Sequence, residues 1–392
     1  MIDKLNPNNN EIKELRMFND THQMARRTTA AFIKQHVAPY IQEWEEAGAF
    51  PREIYRLAGE AGVLGVGFNE KWGGSGENDI LMKVVVSEEL MRSTSGGFVA
   101  SLGSLDIALP PIARWGSPIL QNKVIPSVLQ GEKIAALAIT EPGGGSDVAN
   151  LQTHAVRKGD FYRINGSKTF ITSGHRADFY TVAVRTGGEG HGGISLILVE
   201  RDRNGFSTGQ PLKKMGWWAS DTAELFFNDC LVPAENLIGP ENSGFIAIMS
   251  NFLMERLALS IMAYMTAQIA YEQALSYARQ RDAFGRKIAK FQVIKHRLVE
   301  MATQVDIARN YTLNIAQRIQ NGDNPIKEVA MAKNFCSQAA QEVTNAAVQI
   351  HGGMGYMRES VVERLYRDAR ILSIGGGSTE IMNEIIAKQL GL

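Results

Sequence analysis

THAVRKGDFYRINGSKTFIT, Thr153 to Thr172, sets short runs of β-branched and aromatic residues between the turn dipeptides Gly159-Asp160 and Asn165-Gly166. That pattern predicts a hairpin or a meander. Strand-like runs continue downstream as FYTVAVRT from Phe179, ISLILVER from Ile194 and TAELFFNDCLVP from Thr222. Upstream, the texture changes at Ile134, where apolar runs become short. Residues 134–240 therefore read as a β-domain.

Outward from it the pattern is helical on both sides. Residues 1–133 read as an N-terminal helical domain. One helical pattern runs from Glu11 to Trp44, Pro51 opens another in its first turn, and a third spans Ile80 to Arg92 after the loop KWGGSGEND. Residues 241–392 read as a C-terminal bundle. No proline follows Asn242 until Pro325, and long helices are expected around Met254 to Arg281, Ile288 to Asn321, Pro325 to Gly352 and Ser360 to Arg367. Wide Ala, Met, Ile and Leu faces there point to self-association. The fold class is α+β.

The chain has 392 residues, with 41 Lys+Arg against 41 Asp+Glu, so its net charge is zero. A nucleic-acid partner would call for a basic surface. Only Cys230 and Cys336 are present, which excludes a disulfide scaffold and fits a reducing compartment. The opening MIDKLNPNNNEIKELR has no apolar core of a secretory signal. The run Leu257 to Tyr271 is too short and too polar for a membrane span, so no membrane insertion is expected. Bacterial cytoplasm is the expected location, with a mature mitochondrial protein left open. GxxxxGK[ST], GxGxxG between strand and helix, and HExxH are all absent, and the seven histidines form no metal-spaced pair. A helix–sheet–helix chain without these signatures points to a cofactor.

Two segments of the β-domain could serve one. ALAITEPGGGSD, Ala136 to Asp147, ends a β-like run in three glycines that let backbone N–H groups approach an anion, and Ser146 adds a hydroxyl. The same segment fits a flexible turn. In SKTFITSG, Ser167 to Gly174, Phe170 and Thr172 share a strand face, which suits a planar ring but also ordinary strand packing.

These two segments, at this spacing in a β-domain between helical domains, resemble the acyl-CoA dehydrogenase flavoproteins. RDAFG (Arg281 to Gly285), QIHGGMGY (Gln349 to Tyr356), RLYRDARI (Arg364 to Ile371) and GGSTEIM (Gly376 to Met382) agree, so the likeness spans about Thr21 to Leu392. The resemblance implies that family's fold: an N-terminal helical domain, a middle β-barrel-like domain and a C-terminal four-helix bundle. It also implies bound FAD. Residues 137 to 146 would line flavin and pyrophosphate, through Leu137, Ile139, Thr140, Gly145 and Ser146. Phe170 would lie against the ring, with Thr172 near its reactive nitrogen. Arg281, Phe284, Gln292, Gln349, Gly352 and Gly353 would reach the adenine half across a subunit interface. Ser378 and Glu380 would sit near the ribose. A guanidinium at Arg281 suits a pyrophosphate, because its fork matches phosphate oxygens.

The implied reaction is α,β-dehydrogenation of an acyl-CoA thioester, a step of fatty-acid β-oxidation. A carboxylate takes the α-proton as a β-hydride passes to the flavin. Many members carry that glutamate on a loop before the last helix, where this chain has Gly376. The isovaleryl and long-chain types carry it instead on a bundle helix within ERL, here Glu255-Arg256-Leu257. Glu255 also falls on a stripe formed by Phe245, Ile248, Phe252, Leu259 and Met262. A carboxylate there is either functional or half of a buried ion pair. The resemblance puts Arg256 near the pantetheine of CoA, and Ser146 and Gly376 also against substrate. With glycine at 375 and 376, the acyl site should be roomier, favouring branched or long chains.

The implied partners are an electron-transfer flavoprotein as electron acceptor and three further copies of the chain, in a homotetramer built as a dimer of dimers. A flavin oxidase of acyl-CoA or nitroalkane type on the same fold, and an inactive relative, remain as alternatives.

Overall fold

The computed structural model describes residues 17–77 and 79–392. Glu11 to Arg16, where the first helical pattern was expected to begin, lie outside them.

The N-terminal helices are α1 (Asp20–Phe32), α2 (Ile41–Ala47), α3 (Glu53–Glu60), α4 (Ile80–Met91), α5 (Gly96–Leu102), α6 (Leu105–Trp115) and α7 (Pro118–Leu129). The expected single pattern to Trp44 is interrupted. After α1 the chain runs through a π-helical turn, Ile33–Val37, and Pro39 precedes a fresh start at Ile41. Proline lacks the N–H an uninterrupted helix needs. Pro51 lies two residues before α3 rather than inside its first turn.

Eight strands follow: β1 (Ala135–Ala138), β2 (His154–Lys158), β3 (Phe161–Thr172), β4 (Phe179–Arg185), β5 (Ile194–Glu200), β6 (Phe206–Thr208), β7 (Thr222–Pro233) and β8 (Leu237–Ile238). The sheet runs β6-β7-β3-β2-β4-β5-β8, with β1 parallel to β4. Gly159 makes the β2–β3 turn at φ 60°. Asn165-Gly166 is not a turn. It lies inside β3 as a bulge, where a Cβ on Gly166 would fall 2.6 Å from the Thr153 hydroxyl. Glycine in a strand interior often marks a bulge or such a close approach.

The C-terminal part is α8 (Gly244–Gln280), a two-strand hairpin β9 (Asp282–Ala283) and β10 (Arg286–Lys287), then α9 (Gln292–Gln320), α10 (Ile326–His351), α11 (Val361–Ala369) and α12 (Thr379–Leu390). By length and hydropathy, residues 96–115 and α8 could each cross a membrane. The apolar run in α8 looked short because Arg256 and Glu272 bound it in sequence, yet the helix continues through both. In the fold α8 packs against α9, α10 and α4.

Buried polar groups lock the three parts together. Asp368 of α11 accepts from Gly96 N at 3.0 Å and Trp217 N at 2.6 Å, so one carboxylate joins bundle, N-terminal helices and β-domain. Burial, with Glu45 alongside, pushes its pKa up to about 7. Arg364, one turn earlier, donates to Thr94 and Gln42. The RLYRDARI segment is thus the joint that fixes domain positions. Glu88 of α4 serves likewise, accepting from Arg26, Tyr264 and Arg309 at 2.8, 2.9 and 3.1 Å.

Candidate active site

An ion pair unites the two β-domain segments that were separated in sequence. Lys168 on β3 donates to Glu141 at 2.7 Å and to Ile139 O at 3.0 Å. Thr169 N bonds Thr140 O at 2.9 Å. Glu141 also accepts from Gln152 N and Thr153 N at 2.6 and 2.9 Å, so all of this polar charge is satisfied inside the fold. The result is a fixed rim. Leu137, Ile139 and Thr140 are half-buried along it, and Gly143 to Ser146 are exposed at its end. A Cβ on Gly143 or Gly144 would meet nothing within 4 Å, so the chain's own packing gives no reason for glycine there. Sequence reading missed the Lys168–Glu141 pair, although both residues stood inside the quoted segments.

Phe170 and Thr172 both face away from the core of β3, as the period-two reading expected, but a bulge between Lys168 and Ile171 sets them there. Phe170 is 68% exposed at φ 57°. Phe284, at the tip of the β9–β10 hairpin, is 95% exposed at φ 51°. A bulky residue in the left-handed region is strained, and neither ring recovers that cost by burial. Strain held at an exposed aromatic points to a function outside the chain's own packing.

The candidate residues fall into two groups. Arg281 and Phe284 lie on the hairpin after α8 and Gln292 opens α9, while Gln349, Gly352 and Gly353 end α10. The two helix ends meet where Tyr277 stacks on His351 at 4.4 Å. Glu255 lies 26 residues before Arg281 on the same helix axis, which at 1.5 Å per residue is roughly 39 Å away. A single chain therefore does not bring the Arg281 group to Glu255. Ser378 and Glu380 belong with Glu255, since they follow Gly376 directly. The Ser378 hydroxyl caps α12 by accepting from Ile381 N at 3.4 Å.

Leu137 belongs to the Glu255 side as well. It pairs in register with Thr181, whose hydroxyl donates to Ala108 O at 2.9 Å. The neighbouring Ile107 O accepts from Asn251 at 3.1 Å, one helical turn before Glu255. Helix α6 is the bracket between the rim and Glu255.

Glu255 stands on the expected stripe, with Ile248 and Met262 buried and Phe252 and Leu259 half-buried. Its Oε2 is buried and has no hydrogen-bond partner among the described residues. Burial pushes its pKa up to about 7, against the downward pull of Arg256 and Lys333. Neither cation is spent on it. Arg256 is buried, donates to Gly376 O at 3.4 Å and lies over the Phe252 ring. Lys333 donates to Gly377 O. The ion-pair alternative for Glu255 thus gives way to an unpartnered carboxyl poised near neutrality, the range a general base needs.

Of the three glycines before α12, Gly375 and Gly376 differ. A Cβ on Gly375 would find nothing nearer than 3.6 Å, so space is open there. One on Gly376 would fall 2.3 Å from Leu259 Cδ1. The expected extra room is therefore present at 375, while Leu259 fills it at 376.

This geometry suits a flavin nucleotide held in two halves: a glycine-ended rim with a bared aromatic, and a basic, glycine-bearing group at the far end of the bundle. Three family models cover nearly the whole chain: acyl-CoA dehydrogenase N-terminal domain over residues 19–132, middle domain over 136–230 and C-terminal domain over 242–391. The rat mitochondrial long-chain specific acyl-CoA dehydrogenase is 40% identical over 96% of this chain and 87% of its own. A crystal structure of a probable acyl-CoA dehydrogenase from Mycobacterium abscessus is 50% identical, covers 96% of this chain and 100% of its own, and superposes with TM-score 0.94. A chain in the structure described as the electron transferring flavoprotein of Acidaminococcus fermentans is 36% identical, covering 95% of this chain and 98% of its own, with TM-score 0.91. The β-domain between two helical domains belongs to a shared architecture, and this chain is a member of the acyl-CoA dehydrogenase family of FAD flavoproteins.

Proposed function

We propose that this chain oxidises an acyl-CoA thioester to the trans-2-enoyl-CoA with Glu255 as the base. The observation that carries the reading is the Glu255 carboxyl itself: buried in an apolar wall, unbonded at Oε2, with a pKa near 7 and glycine at position 376 beside it. Bound FAD supplies the acceptor for the hydride that leaves the β-carbon. Glu255 takes the α-proton onto a carboxylate oxygen, and the pair from that C–H bond becomes the new C=C bond. Burial raises the basicity of the carboxylate, and Arg256 and Lys333 pull the other way, so that its pKa stands at about 7. Arg256 also braces the Gly376 turn, which supports its expected role near the pantetheine of CoA, with Ser146 on the rim side.

Leu137, Ile139, Thr140, Gly145, Ser146, Phe170 and Thr172 would hold the flavin and pyrophosphate, and Ser378 and Glu380 the ribose. Arg281, Phe284, Gln292, Gln349, Gly352 and Gly353 would serve the cofactor of a neighbouring subunit. The roughly 39 Å between the groups supports this division, and with the apolar bundle faces it supports a tetramer built as a dimer of dimers. The acyl group we infer is long or branched, supported by the open space at Gly375 and by the likeness to the rat long-chain enzyme. An electron-transfer flavoprotein is the inferred acceptor, in line with the Acidaminococcus likeness.

Anaerobic addition of a panel of acyl-CoAs to the FAD-loaded protein tests the substrate reading. Bleaching of the flavin absorbance should be fastest with long or branched chains. A best kcat/KM on butyryl-CoA, or no bleaching by any member of the panel, would count against it.

A further inference from the structure

Lys333 lies on α10 among Val329, Ala330, Cys336, Ser337 and Ala340, all buried, and its own side chain is fully buried. An ammonium in such a stripe is costly unless it is bonded and used. Its Nζ is aimed at Gly377 O, in the turn that carries Gly376. Two neighbours on α10 hold the same stretch. Asn334 donates to Thr379 O at 3.3 Å, and Ser337 to Leu372 O at 2.9 Å. From the opposite side Arg256 of α8 reaches Gly376 O. The turn is thus clamped between the helix that bears Glu255 and the helix that faces it. Lys333 is the one cation in the clamp that comes from the facing helix.

We propose that Lys333 is a positioning residue for the base: it fixes the Gly375–Gly377 turn against Glu255 through the Gly377 carbonyl, and sets a positive charge opposite the carboxylate. The proposal rests on the reading of Glu255 as base.

The charged surroundings are few. Arg256 acts on Glu255 from its own helix and Lys333 from α10, and residues 375–377 carry no ionisable side chain. Glu380 of α12 acts on Lys333. Burial, with Arg256 nearby, lowers the Lys333 pKa to about 8, and Glu255 and Glu380 hold it up, so the lysine is mostly charged where Glu255, at about 7, is half-titrated. Removing that charge takes away a downward pull on Glu255, whose titration must then move to higher pH.

The test compares full-length FAD-loaded wild type with Lys333→Met and Lys333→Gln. The glutamine amide can still donate to Gly377 O but carries no charge. Two readouts are taken: the pH dependence of single-turnover flavin reduction, and infrared titration of the Glu255 carboxyl, its band assigned by loss in Glu255→Gln. Both variants should shift the acid limb and the infrared titration upward by about one unit. At high pH, where Glu255 is ionised in all three proteins, Lys333→Gln should retain more of the wild-type rate than Lys333→Met. A titration left in place in whichever variant folds, with a rate lowered evenly at all pH values, overturns the proposal. Flavin reduction by Glu255→Gln at near the wild-type rate would instead overturn the underlying assignment of the base.

Discussion

A Cβ built on Gly376 would stand 3.5 Å from Oε1 of Glu255. Side chains grown from two backbones 121 positions apart therefore enter the same space, and one carboxylate there excludes a second. This explains in steric terms why a glutamate on α8 goes with glycine on the turn.

The exchange is not free in this chain. The same Cβ would fall 2.3 Å from Leu259 Cδ1, and Gly376 sits at φ 65°, where a side chain is strained. The double variant Glu255→Gly with Gly376→Glu should recover only a small part of the lost turnover. Adding Leu259→Ala should raise it several-fold by clearing the collision. Steady-state kcat on one long-chain acyl-CoA checks this, and equal rates for double and triple variants would contradict it.

Arg281→Ala should weaken FAD retention and subunit association together, because that group lies too far from Glu255 to serve the same chain's cofactor. Light scattering and flavin content on the same fractions measure both. A stable, fully flavinylated monomer would contradict the division of the site between subunits.

The pH dependence of stability follows from the direction of the Glu255 shift. Its folded pKa, about 7, lies above the ordinary 4.5, so its favourable contribution is complete below the ordinary value and is lost as pH rises through 7. Glu255→Gln has no such loss. The Tm of the variant minus that of wild type should grow between about pH 5 and about pH 8. Asp368 titrates in the same range but is common to both proteins, so the difference isolates Glu255. A difference constant with pH would contradict a buried, raised carboxyl.

Much of this was legible in sequence because periodicity and turn chemistry are local. TAELFFNDCLVP is β7 to the residue, and Glu255 stood out as an acid on an apolar stripe. What escaped reading depends on distant partners. Asn165-Gly166 has the composition of a turn, but Thr153 passing alongside makes it a bulge. Leu259 was seen as stripe, yet its reach to position 376 needs the α12 turn in place. Lys333 carried the same signal as Glu255, one charge among apolar residues at helical spacing, and only the Gly377 carbonyl shows what it does. The two-group arrangement of the cofactor residues follows from the length of α8, which the helix expected from Met254 to Arg281 already contained.

Removal of the α-proton by Glu255 is tested by single-turnover flavin reduction in Glu255→Gln, measured beside FAD content and Tm. The rate should be lower by on the order of a thousandfold or more, with flavin bound and the fold intact, since the amide leaves no charge buried. Near-wild-type reduction, or a loss of rate that merely tracks a loss of folded protein, would contradict it.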